Sequence, residues 1–497
     1  NRQYRAGNSN IEEADLRAWL RKRGTSETLI TRALHRLGQA AALGENRSLY
    51  TANREVYGLL RYGVKVREAA GEPNQTVRLI DWERPEANDF AVAEEVTVLG
   101  HVTKRPDVVL YVNGIALAVL ELKRSIVSVS EGIRQSLDSQ KKEFIQPFYT
   151  TVQLVMAGND TEGLRYGVIE TPEKYWLRWK EADAPAEVLA AAGENPLLRE
   201  LGQLCSKARM LEIIHDFMVF DAGIKKTCRH NQYFGVRAAQ ARVRSREGGI
   251  LWHTQGSGKS LIMVWLAKWI REHVTNARVL ILTDRDELDE QIEKVFKGVS
   301  EDIYRTKSGA DLVEVLNASK EWLICSLIHK FRTSEEGDID AFVADIRSHL
   351  PAGFRAKGEL FVFVDECHRT QSGKLHDAMK ELLPGAMLIG FTGTPLLKSD
   401  KRRSIETFGP YIHTYKYDEA VSDGAVLDLR YEARDIDQHL TSPDRVDQWF
   451  EAKTSGLTDA ARVQLKKKWG TMQKVLSSRD RLGKIAADIL YDMETRD

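Results

Sequence analysis

The chain has 497 residues, of which 42% are hydrophobic and 29% are charged, a composition typical of a globular protein with about three domains. Its 72 basic and 72 acidic residues give a formal net charge of zero, so overall charge provides no argument for a nucleic-acid partner. No apolar run approaches the roughly 18 residues of a membrane span, and the four cysteines lack CxxC spacing. We therefore expect no membrane partner, no zinc site, and reduced thiols in a cytoplasmic protein.

The N-terminal part changes from a helical to a strand-rich pattern. Apolar residues recur at helical spacing within residues 11–70. Residues 76–170 carry short apolar runs instead, and the pair Asn113–Gly114 between two of these runs predicts a β-hairpin. Residues 181–200 are rich in Ala, Glu and Pro, which predicts a helical connector. The predicted strands are Thr76–Ile80, Phe90–Leu99, Val108–Val112, Ile115–Leu122 and Thr151–Ala157.

Two carboxylates and a lysine lie at one end of the predicted hairpin. Asp107 opens the first strand, and Glu121 and Lys123 close the second. A pair of carboxylates can bind a divalent metal, and a nearby lysine can orient or deprotonate water and balance phosphate charge. Glu121 and Lys123 are two residues apart and therefore share one face of their strand.

The register of the hairpin decides whether the third group joins them. With a two-residue loop, Asp107 pairs with Leu120 and points away from Glu121. With a three-residue loop, in which Gly114 adopts the left-handed conformation and forms a bulge, Asp107 pairs with Val119 and points the same way as Glu121. We predict the bulged hairpin, and opposite faces for the two carboxylates would refute a nuclease.

From about residue 249 to residue 395, short apolar runs alternate with helical stretches, which predicts a parallel sheet flanked by helices. The predicted strands are Gly249–Trp252, Val279–Thr283, Trp322–Ser326, Leu360–Val364 and Met387–Phe391.

A phosphate-binding loop follows the first of these strands and precedes a predicted helix over residues 259–271. Its glycines allow backbone N–H groups to face phosphate oxygens, Lys259 can reach the terminal phosphates, and the Ser260 hydroxyl can coordinate magnesium. The loop departs from GxxxxGK[ST] because His253 replaces the first glycine. The residues predicted to bind ATP here are Thr254, Gln255, Gly256, Ser257, Gly258, Lys259 and Ser260.

Two further motifs follow apolar strands at the expected order for ATP hydrolysis. Asp365 and Glu366 end one strand; the first would hold magnesium and the second would polarise the attacking water. The segment Thr392–Pro395 ends another strand. This order of motifs resembles superfamily-two helicases and translocases.

That resemblance implies roles for several other residues. Asp284 and Arg285 would touch the nucleic-acid backbone, and Gln232 would recognise adenine. His368 and the threonines of the Thr392–Pro395 segment would couple the nucleotide state to DNA contact. A surface glutamine and helix-capping threonines are the competing structural interpretations.

A PD-(D/E)xK pattern ahead of this motor resembles the restriction (R) subunit of type I restriction-modification enzymes. The resemblance spans residues 50–435 and is carried by RPDVVLYVNGIALAVLELK, ILWHTQGSGKS, VFVDECHRTQSG and IGFTGTP. It implies a metal site at Asp107 and Glu121 and a catalytic Lys123. It also implies a role for Gln135 from the family's QxxxY motif, although Ser139 stands where the tyrosine would be. The implied cofactors are ATP and Mg²⁺, and the implied partners are double-stranded DNA and the modification and specificity subunits.

We therefore predict an α/β protein with four segments. Residues 1–180 form a PD-(D/E)xK nuclease-like α/β domain, and residues 181–228 form a helical connector. Residues 229–437 form a RecA-like parallel α/β motor lobe, and residues 438–497 form a helical segment that begins an incomplete second lobe. Without that lobe we expect slow ATP hydrolysis. The alternatives are an ATP-dependent translocase or remodeller whose N-terminal domain binds DNA without cutting it, and an ATP-gated scaffold without turnover.

Overall fold

The computed structural model divides into two compact units, Asn1–Val426 and Leu427–Asp497, and each is described by itself. The residues that the structure describes are 8–181, 185–283, 286–298, 301–318, 320–327, 344, 346–351, 354–367, 383–394, 408–429, 443–469 and 479–495.

The first unit begins with three amphipathic helices: α1 (Glu13–Lys22), α2 (Glu27–Ala41) and α3 (Leu49–Tyr62). Serine side chains start two of them, because the Ser26 hydroxyl accepts from the backbone N–H of Leu29 and the Ser48 hydroxyl accepts from that of Thr51. The apolar positions at helical spacing are buried as the sequence predicts. In α2 they are Leu29, Ile30, Ala33, Leu34 and Leu37.

A five-stranded mixed sheet forms the core of the N-terminal domain. Its order is β3-β4-β5-β6-β7, with β5 and β6 parallel and the other neighbours antiparallel. Helix α4 (Val129–Ser139) follows β5 and packs against β6. The strands are β3 (Phe90–Glu94), β4 (Val108–Val112), β5 (Ile115–Leu122), β6 (Leu154–Asn159) and β7 (Gly163–Gly167), preceded by the short pair β1 (Val64–Val66) and β2 (Gln75–Val77).

The predicted connector is mostly helical and ends in a small hairpin. It contains helices α5 (Ala186–Ala192), α6 (Pro196–Leu204) and α7 (Lys207–Asp216). The antiparallel pair β8 (Val219–Asp221) and β9 (Ile224–Lys226) follows and leads to the motor.

The motor has a seven-stranded sheet in the order β12-β13-β11-β14-β15-β10-β16, in which every pairing is parallel. Its central strands are buried along their whole length, as expected when helices cover both faces. The strands are β10 (Gly249–His253), β11 (Ala277–Thr283), β12 (Tyr304–Arg305), β13 (Leu323–Leu327), β14 (Glu359–Val364), β15 (Met387–Thr392) and β16 (Tyr411–Tyr415). The labelled helices are α8 (His230–Ser245), α9 (Lys259–His273), α10 (Asp286–Gly298) and α11 (Gly309–Asn317), and the short helix Tyr417–Ser422 follows β16.

The second unit is helical where the structure describes it, with helices Pro443–Thr454, Asp459–Trp469 and Arg479–Thr495. Throughout the described ranges, no helix combines the length and the apolar character needed to cross a membrane. None of the four cysteines, all of which lie in the described residues, forms a disulfide.

Candidate nuclease and ATP sites

The β4–β5 hairpin does bring the two carboxylates to one face, but not by the predicted route. Val112 pairs with Ile115 across a two-residue turn, so the predicted three-residue loop is wrong. Asn113 and Gly114 both have positive φ, at 52° and 78°, which is the geometry that a tight hairpin turn requires. The register then shifts further along the hairpin.

The shift is a β-bulge at Leu117, because Tyr111 pairs with Ala116 while Leu110 pairs with Ala118. The extra residue places Val108 opposite Leu120 and therefore Asp107 opposite Glu121. The two carboxylates thus share a face.

Backbone and side-chain donors that are distant in sequence hold the bulge. The backbone N–H of Gln153 donates to the Leu117 carbonyl at 2.7 Å. The Thr151 hydroxyl donates to the Ala116 carbonyl at 2.8 Å, and the backbone N–H of Ala116 donates to the Asn10 carbonyl at 2.9 Å. No local sequence signal marks this bulge, because its partners lie more than thirty residues away.

The predicted nuclease residues form one connected group. Gln135, on α4, donates from Nε2 to Glu121 Oε2 at 2.7 Å and accepts at Oε1 from Lys123 Nζ at 2.6 Å. Asp107 Oδ2 accepts from the backbone N–H of Leu122 at 2.7 Å. The amide of Gln135 therefore fixes the carboxylate and the ammonium relative to each other.

Glu121 is the electrostatic centre of this group. Its side chain is 1% exposed, and burial, followed by the neighbouring Asp107, raises its pKa to about 8, against the opposing effect of Lys123. Glu121 Oε1 is buried and makes no hydrogen bond. A buried carboxylate oxygen without a donor, beside a second carboxylate, fits a divalent cation.

Within the described ranges, no three His, Cys, Asp or Glu side chains gather in a group that could hold a metal ion. A cation at Glu121 and Asp107 would thus have two protein carboxylates. Its remaining ligands would come from water or phosphate, which suits Mg²⁺.

Ser139, at the position of the family's tyrosine, does not reach the carboxylates. Its hydroxyl donates to the Gln135 carbonyl at 3.0 Å, one turn earlier in α4. Tyr149, which the sequence analysis missed, is fully buried, and burial and the charge of Glu121 raise its pKa. Its phenol is therefore the aromatic group that this fold brings near Glu121.

The phosphate-binding loop has the backbone shape that its glycines predict. Gly256 and Gly258 have φ of 83° and 86°, and α9 begins immediately afterwards at Lys259. The Ser257 hydroxyl donates to the Thr254 carbonyl at 2.6 Å and closes the loop. The N-terminus of α9 therefore directly follows the loop, which is the arrangement needed for Lys259 and Ser260 to bind an anion.

The three ATP-binding motifs meet at one edge of the sheet because β14, β15 and β10 are adjacent and parallel. Asp365 and Glu366 follow β14, and Glu366 has a φ of 48°, an uncommon conformation for a residue other than glycine. Gly393 follows β15, and a Cβ there would lie 2.8 Å from Lys259 Nζ and 3.3 Å from the backbone nitrogen of Gln255. A side chain at position 393 would therefore crowd the loop and require Lys259 to shift.

Gln232 contacts the phosphate-binding loop directly. Its Nε2 donates to the carbonyls of Ser257 and Gly258 at 3.1 and 3.2 Å, and its Oε1 accepts from the backbone N–H of Arg229 at 2.9 Å. Adenine recognition by Gln232 stays a prediction, with one acceptor position of Oε1 left for a ligand. A cavity of about 530 Å³ adjoins Gln232 and the loop, and its opposite wall comes from residues 167–172 of the N-terminal domain.

His253 belongs to a buried histidine pair that the sequence analysis did not identify. Its Nε2 lies 2.9 Å from His413 Nδ1, which joins β10 to β16 just before the loop. Burial lowers the pKa of both rings and so favours their neutral forms, in which one ring can donate to the other. Asp284, Arg285, His368 and Pro395, which were assigned roles above, lie outside the described residues.

Comparison with known proteins gives matches over both the N-terminal domain and the motor. Residues 2–174 match the model of the type I restriction enzyme R protein N terminus, and residues 231–463 match that of the SWI2/SNF2 ATPase. The chain is 28% identical over 477 residues to the putative type I restriction enzyme MjaIXP endonuclease subunit of Methanocaldococcus jannaschii, covering 88% of this chain and 44% of the relative. It is 28% identical over 486 residues to the type I restriction enzyme HindI endonuclease subunit of Haemophilus influenzae, covering 90% and 44%.

The chain therefore spans less than half the length of these relatives. A solved structure of a nuclease-deletion mutant of the type ISP restriction-modification enzyme LlaGI with a DNA substrate mimic aligns at 16% identity and a TM-score of 0.31. That alignment covers 50% of this chain and 24% of the other, and the fold assignment rests on the sheet topology described above. The chain thus matches an R protein N-terminal domain followed by a SWI2/SNF2 ATPase domain, and it is similar over most of its length to type I restriction enzyme endonuclease subunits.

Proposed function

We propose that this chain supplies the motor and the nuclease of a type I restriction-modification complex. ATP hydrolysis at the loop 254–260 moves double-stranded DNA, and the site at Asp107, Glu121 and Lys123 cuts it away from the recognition site. The modification and specificity subunits provide recognition. The observation that carries this proposal is the continuous contact of Glu121, Gln135 and Lys123 on the face that Asp107 shares.

The nuclease side chains have separable tasks in this proposal. Asp107 and Glu121 would hold Mg²⁺, which when bound supplies Lewis-acid stabilisation of the phosphate charge. Gln135 keeps Glu121 Oε2 in place, so that the free Oε1 faces the cation position. Lys123 brings a positive charge to the same point, where its ammonium group balances the phosphate and orients the attacking water.

The ATP side chains would act at the adjacent ends of β10, β14 and β15. Lys259 and the N–H groups of residues 256–258 bind the phosphates, and Ser260 and Asp365 hold Mg²⁺. Glu366 orients the attacking water. The cavity beside Gln232 would take the adenine.

The decisive experiment compares the unsubstituted full-length R subunit with a Lys123→Ala variant, each assembled with modification and specificity subunits. Lys123→Ala removes the positively charged side chain from the cutting site and leaves the phosphate-binding loop unchanged. We expect DNA cutting to fall by about a thousandfold, since one charged catalytic group is lost, and DNA-stimulated ATP hydrolysis to stay within about twofold. Cutting that survives with ATP hydrolysis intact favours a translocase whose N-terminal domain only binds DNA.

A Glu366→Gln variant addresses the non-enzymatic alternative. This change keeps the size of the side chain and removes the carboxylate that orients water. Loss of ATP hydrolysis with ATP binding retained establishes turnover by the unsubstituted chain. An ATP-gated scaffold instead shows no hydrolysis before or after the substitution.

A further inference from the structure

Two loops leave the nuclease sheet at the end that carries the carboxylates. The first continues β3 and β4 as a narrow hairpin: Glu95 N–H donates to the Asp107 carbonyl at 2.8 Å, and Val98 and Lys104 exchange backbone hydrogen bonds at 2.9 and 3.2 Å. The second, residues 123–128, follows β5. Because β4 and β5 are antiparallel, the beginning of β4 and the end of β5 lie together, so both loops border the cutting site.

The tips of both loops present aliphatic side chains to solvent. Leu99 is 84% exposed and Val102 is 51% exposed on the first loop, and Ile126 is 91% exposed on the second. Single exposed aliphatic residues are common on protein surfaces. Three of them on two loops at the rim of one polar site form an unusual arrangement, which we call the aliphatic rim.

The loops that carry the aliphatic rim are held firmly to the domain. Gly100 packs so closely that a Cβ would lie 2.3 Å from the Phe144 carbonyl oxygen. On the second loop, Asn159 Nδ2 donates to the Val127 carbonyl at 2.8 Å and the Thr161 hydroxyl donates to the Ser125 carbonyl at 3.1 Å. The backbone of both loops is therefore anchored to the domain close to the exposed side chains.

Positive side chains lie at the bases of the same loops. Lys104 and Arg105 precede the carboxylate of the first strand, and Lys123 and Arg124 follow that of the second. Lys104 Nζ lies 4.1 Å from the centre of the Phe144 ring, and its charge lowers the pKa of Glu121. The two loops thus carry positively charged residues at their bases, next to the cutting site, and apolar residues at their tips.

A positively charged zone followed by an apolar zone is the order of contacts that a DNA duplex offers to a protein that approaches its phosphate backbone. Phosphates lie outermost and meet the cations, whereas sugar and base faces lie deeper in the groove and meet apolar groups. Because Glu95 pairs with Asp107, Leu99 lies four residues and Val102 five residues beyond the level of Asp107, which corresponds to about 13 to 16 Å at about 3.3 Å per residue. At about 3.4 Å per base pair, side chains at that distance reach base pairs about four to five steps from the scissile phosphate.

We propose that Leu99, Val102 and Ile126 enter a groove of the DNA and part stacked base pairs within about five base pairs of the phosphate to be cut. This inference rests on the proposed nuclease function and adds how its substrate is held. Apolar wedges of this kind separate neighbouring base pairs and bend the duplex, which opens the backbone to attack. The aliphatic rim thereby sets the shape of DNA that the site accepts.

The test uses a Leu99→Ser/Ile126→Ser double variant of the full R subunit in the complete complex. We expect DNA cutting to fall by about tenfold, since two apolar base contacts are lost, and DNA-stimulated ATP hydrolysis to stay within about twofold. The matched control is Val92→Ser, because Val92 is 60% exposed on β3 of the same domain and lies away from both loops. Cutting by the control should equal that of the unsubstituted complex.

A second substrate separates wedging from other roles. DNA with a short mispaired segment is already unstacked, so we expect cutting at that segment to recover in the double variant. Unchanged cutting of paired DNA, or no recovery at the mispair, overturns the wedge. Failure of the double variant to co-purify with the other subunits also overturns it and makes the aliphatic rim a subunit contact. If the unsubstituted complex does not cut, the nuclease function itself fails and the wedge with it.

Discussion

The ATP site and the nuclease site differ in how the chain assembles them. The ATP-binding loop is a single run of residues, 254–260, between a strand and the helix that follows it. The nuclease site combines the ends of two strands with the middle of a helix, and its geometry depends on an irregular pairing at Leu117. The geometry of a site made from one run of residues depends on local backbone conformation, whereas the geometry of a site made from distant residues depends on how the whole domain packs.

The same difference appears in the charges. At the nuclease site, Glu121 is almost completely buried beside another carboxylate, and its pKa is raised to about 8. At the ATP site, the anion-binding groups are the side chain of Lys259 and backbone N–H groups, and the backbone groups do not ionise. A change in pH should therefore alter the rate of cutting more than the rate of ATP hydrolysis.

The largest expected effect is on the pH dependence of cutting. Glu121 must lose its proton to bind Mg²⁺, so at a fixed, limiting Mg²⁺ concentration cutting should rise about tenfold per pH unit well below pH 8 and level off near it. The expected rise from pH 6 to pH 8 is about fiftyfold, because half of the Glu121 side chains are ionised at pH 8. The measurement is the initial cutting rate of the complete complex, with ATP hydrolysis followed in parallel. If ATP hydrolysis rises with pH as steeply as cutting does, the pH dependence of cutting cannot be assigned to Glu121.

The same group gives the metal-free domain a stability that depends on pH in a known direction. Between the ordinary glutamate pKa of 4.5 and the folded value of about 8, the folded state keeps a proton that the unfolded state has released. The free energy of unfolding therefore falls as pH rises through this range, by at most about 1.4 kcal/mol per pH unit. A Glu121→Gln variant lacks the ionisable group and serves as the control with no such slope.

The intermediate effect concerns the bulge. Thr151→Val keeps the shape of the side chain and removes the hydroxyl that donates to the Ala116 carbonyl. We expect a loss of about 1 to 3 kcal/mol in the free energy of unfolding, because a buried carbonyl loses its donor. Cutting should fall by about tenfold as Asp107 moves relative to Glu121, since misplacement of a catalytic group is costly.

The adjacent residue provides a matched control for this substitution. Thr150 is also fully buried, but its hydroxyl donates to the Pro147 carbonyl at 2.9 Å and accepts from Asn10 Nδ2 at 3.0 Å, so that it reaches the bulge only through Asn10. Thr150→Val should therefore lower stability without a comparable loss of cutting relative to ATP hydrolysis. Equal losses of cutting in the two variants would mean that the bulge has no special part in placing the carboxylates.

The two sites also show what a sequence can and cannot predict. The parallel motor sheet and the positions of its motifs at strand ends follow from alternating apolar runs, and the bounds of β4 and β5 agree residue for residue with the predicted strands. The grouping of Asp107 with Glu121 was predicted, but the bulge was placed in the turn. Its actual position depends on Asn10, Thr151 and Gln153, whose approach to β5 is a tertiary contact without a local pattern.

Tyr149 and the His253–His413 pair were missed for the same reason. In each case, the residues that meet in space are separated by tens to more than a hundred positions, and neither residue type is unusual in its own segment. Burial gives these groups their shifted pKa values, and burial of a particular ring depends on packing between elements. A single sequence contains the apolar periodicity of each element but not the pairing of their faces.

The smallest expected effect is at Ser139, the residue that replaces the tyrosine of the QxxxY motif. Its hydroxyl is bonded to the carbonyl of its own helix, one turn back, and alanine has the higher helix propensity. Ser139→Ala should therefore change the free energy of unfolding by less than about 1 kcal/mol and the cutting rate by less than about twofold. Gln135→Ala, which severs the link between Glu121 and Lys123, is the contrasting variant and should lower cutting by about a hundredfold. If the cutting rate of Ser139→Ala fell nearly as far as that of Gln135→Ala, the Ser139 hydroxyl would take part in the reaction. Loss of its hydrogen bond within the helix would not by itself lower the cutting rate that far.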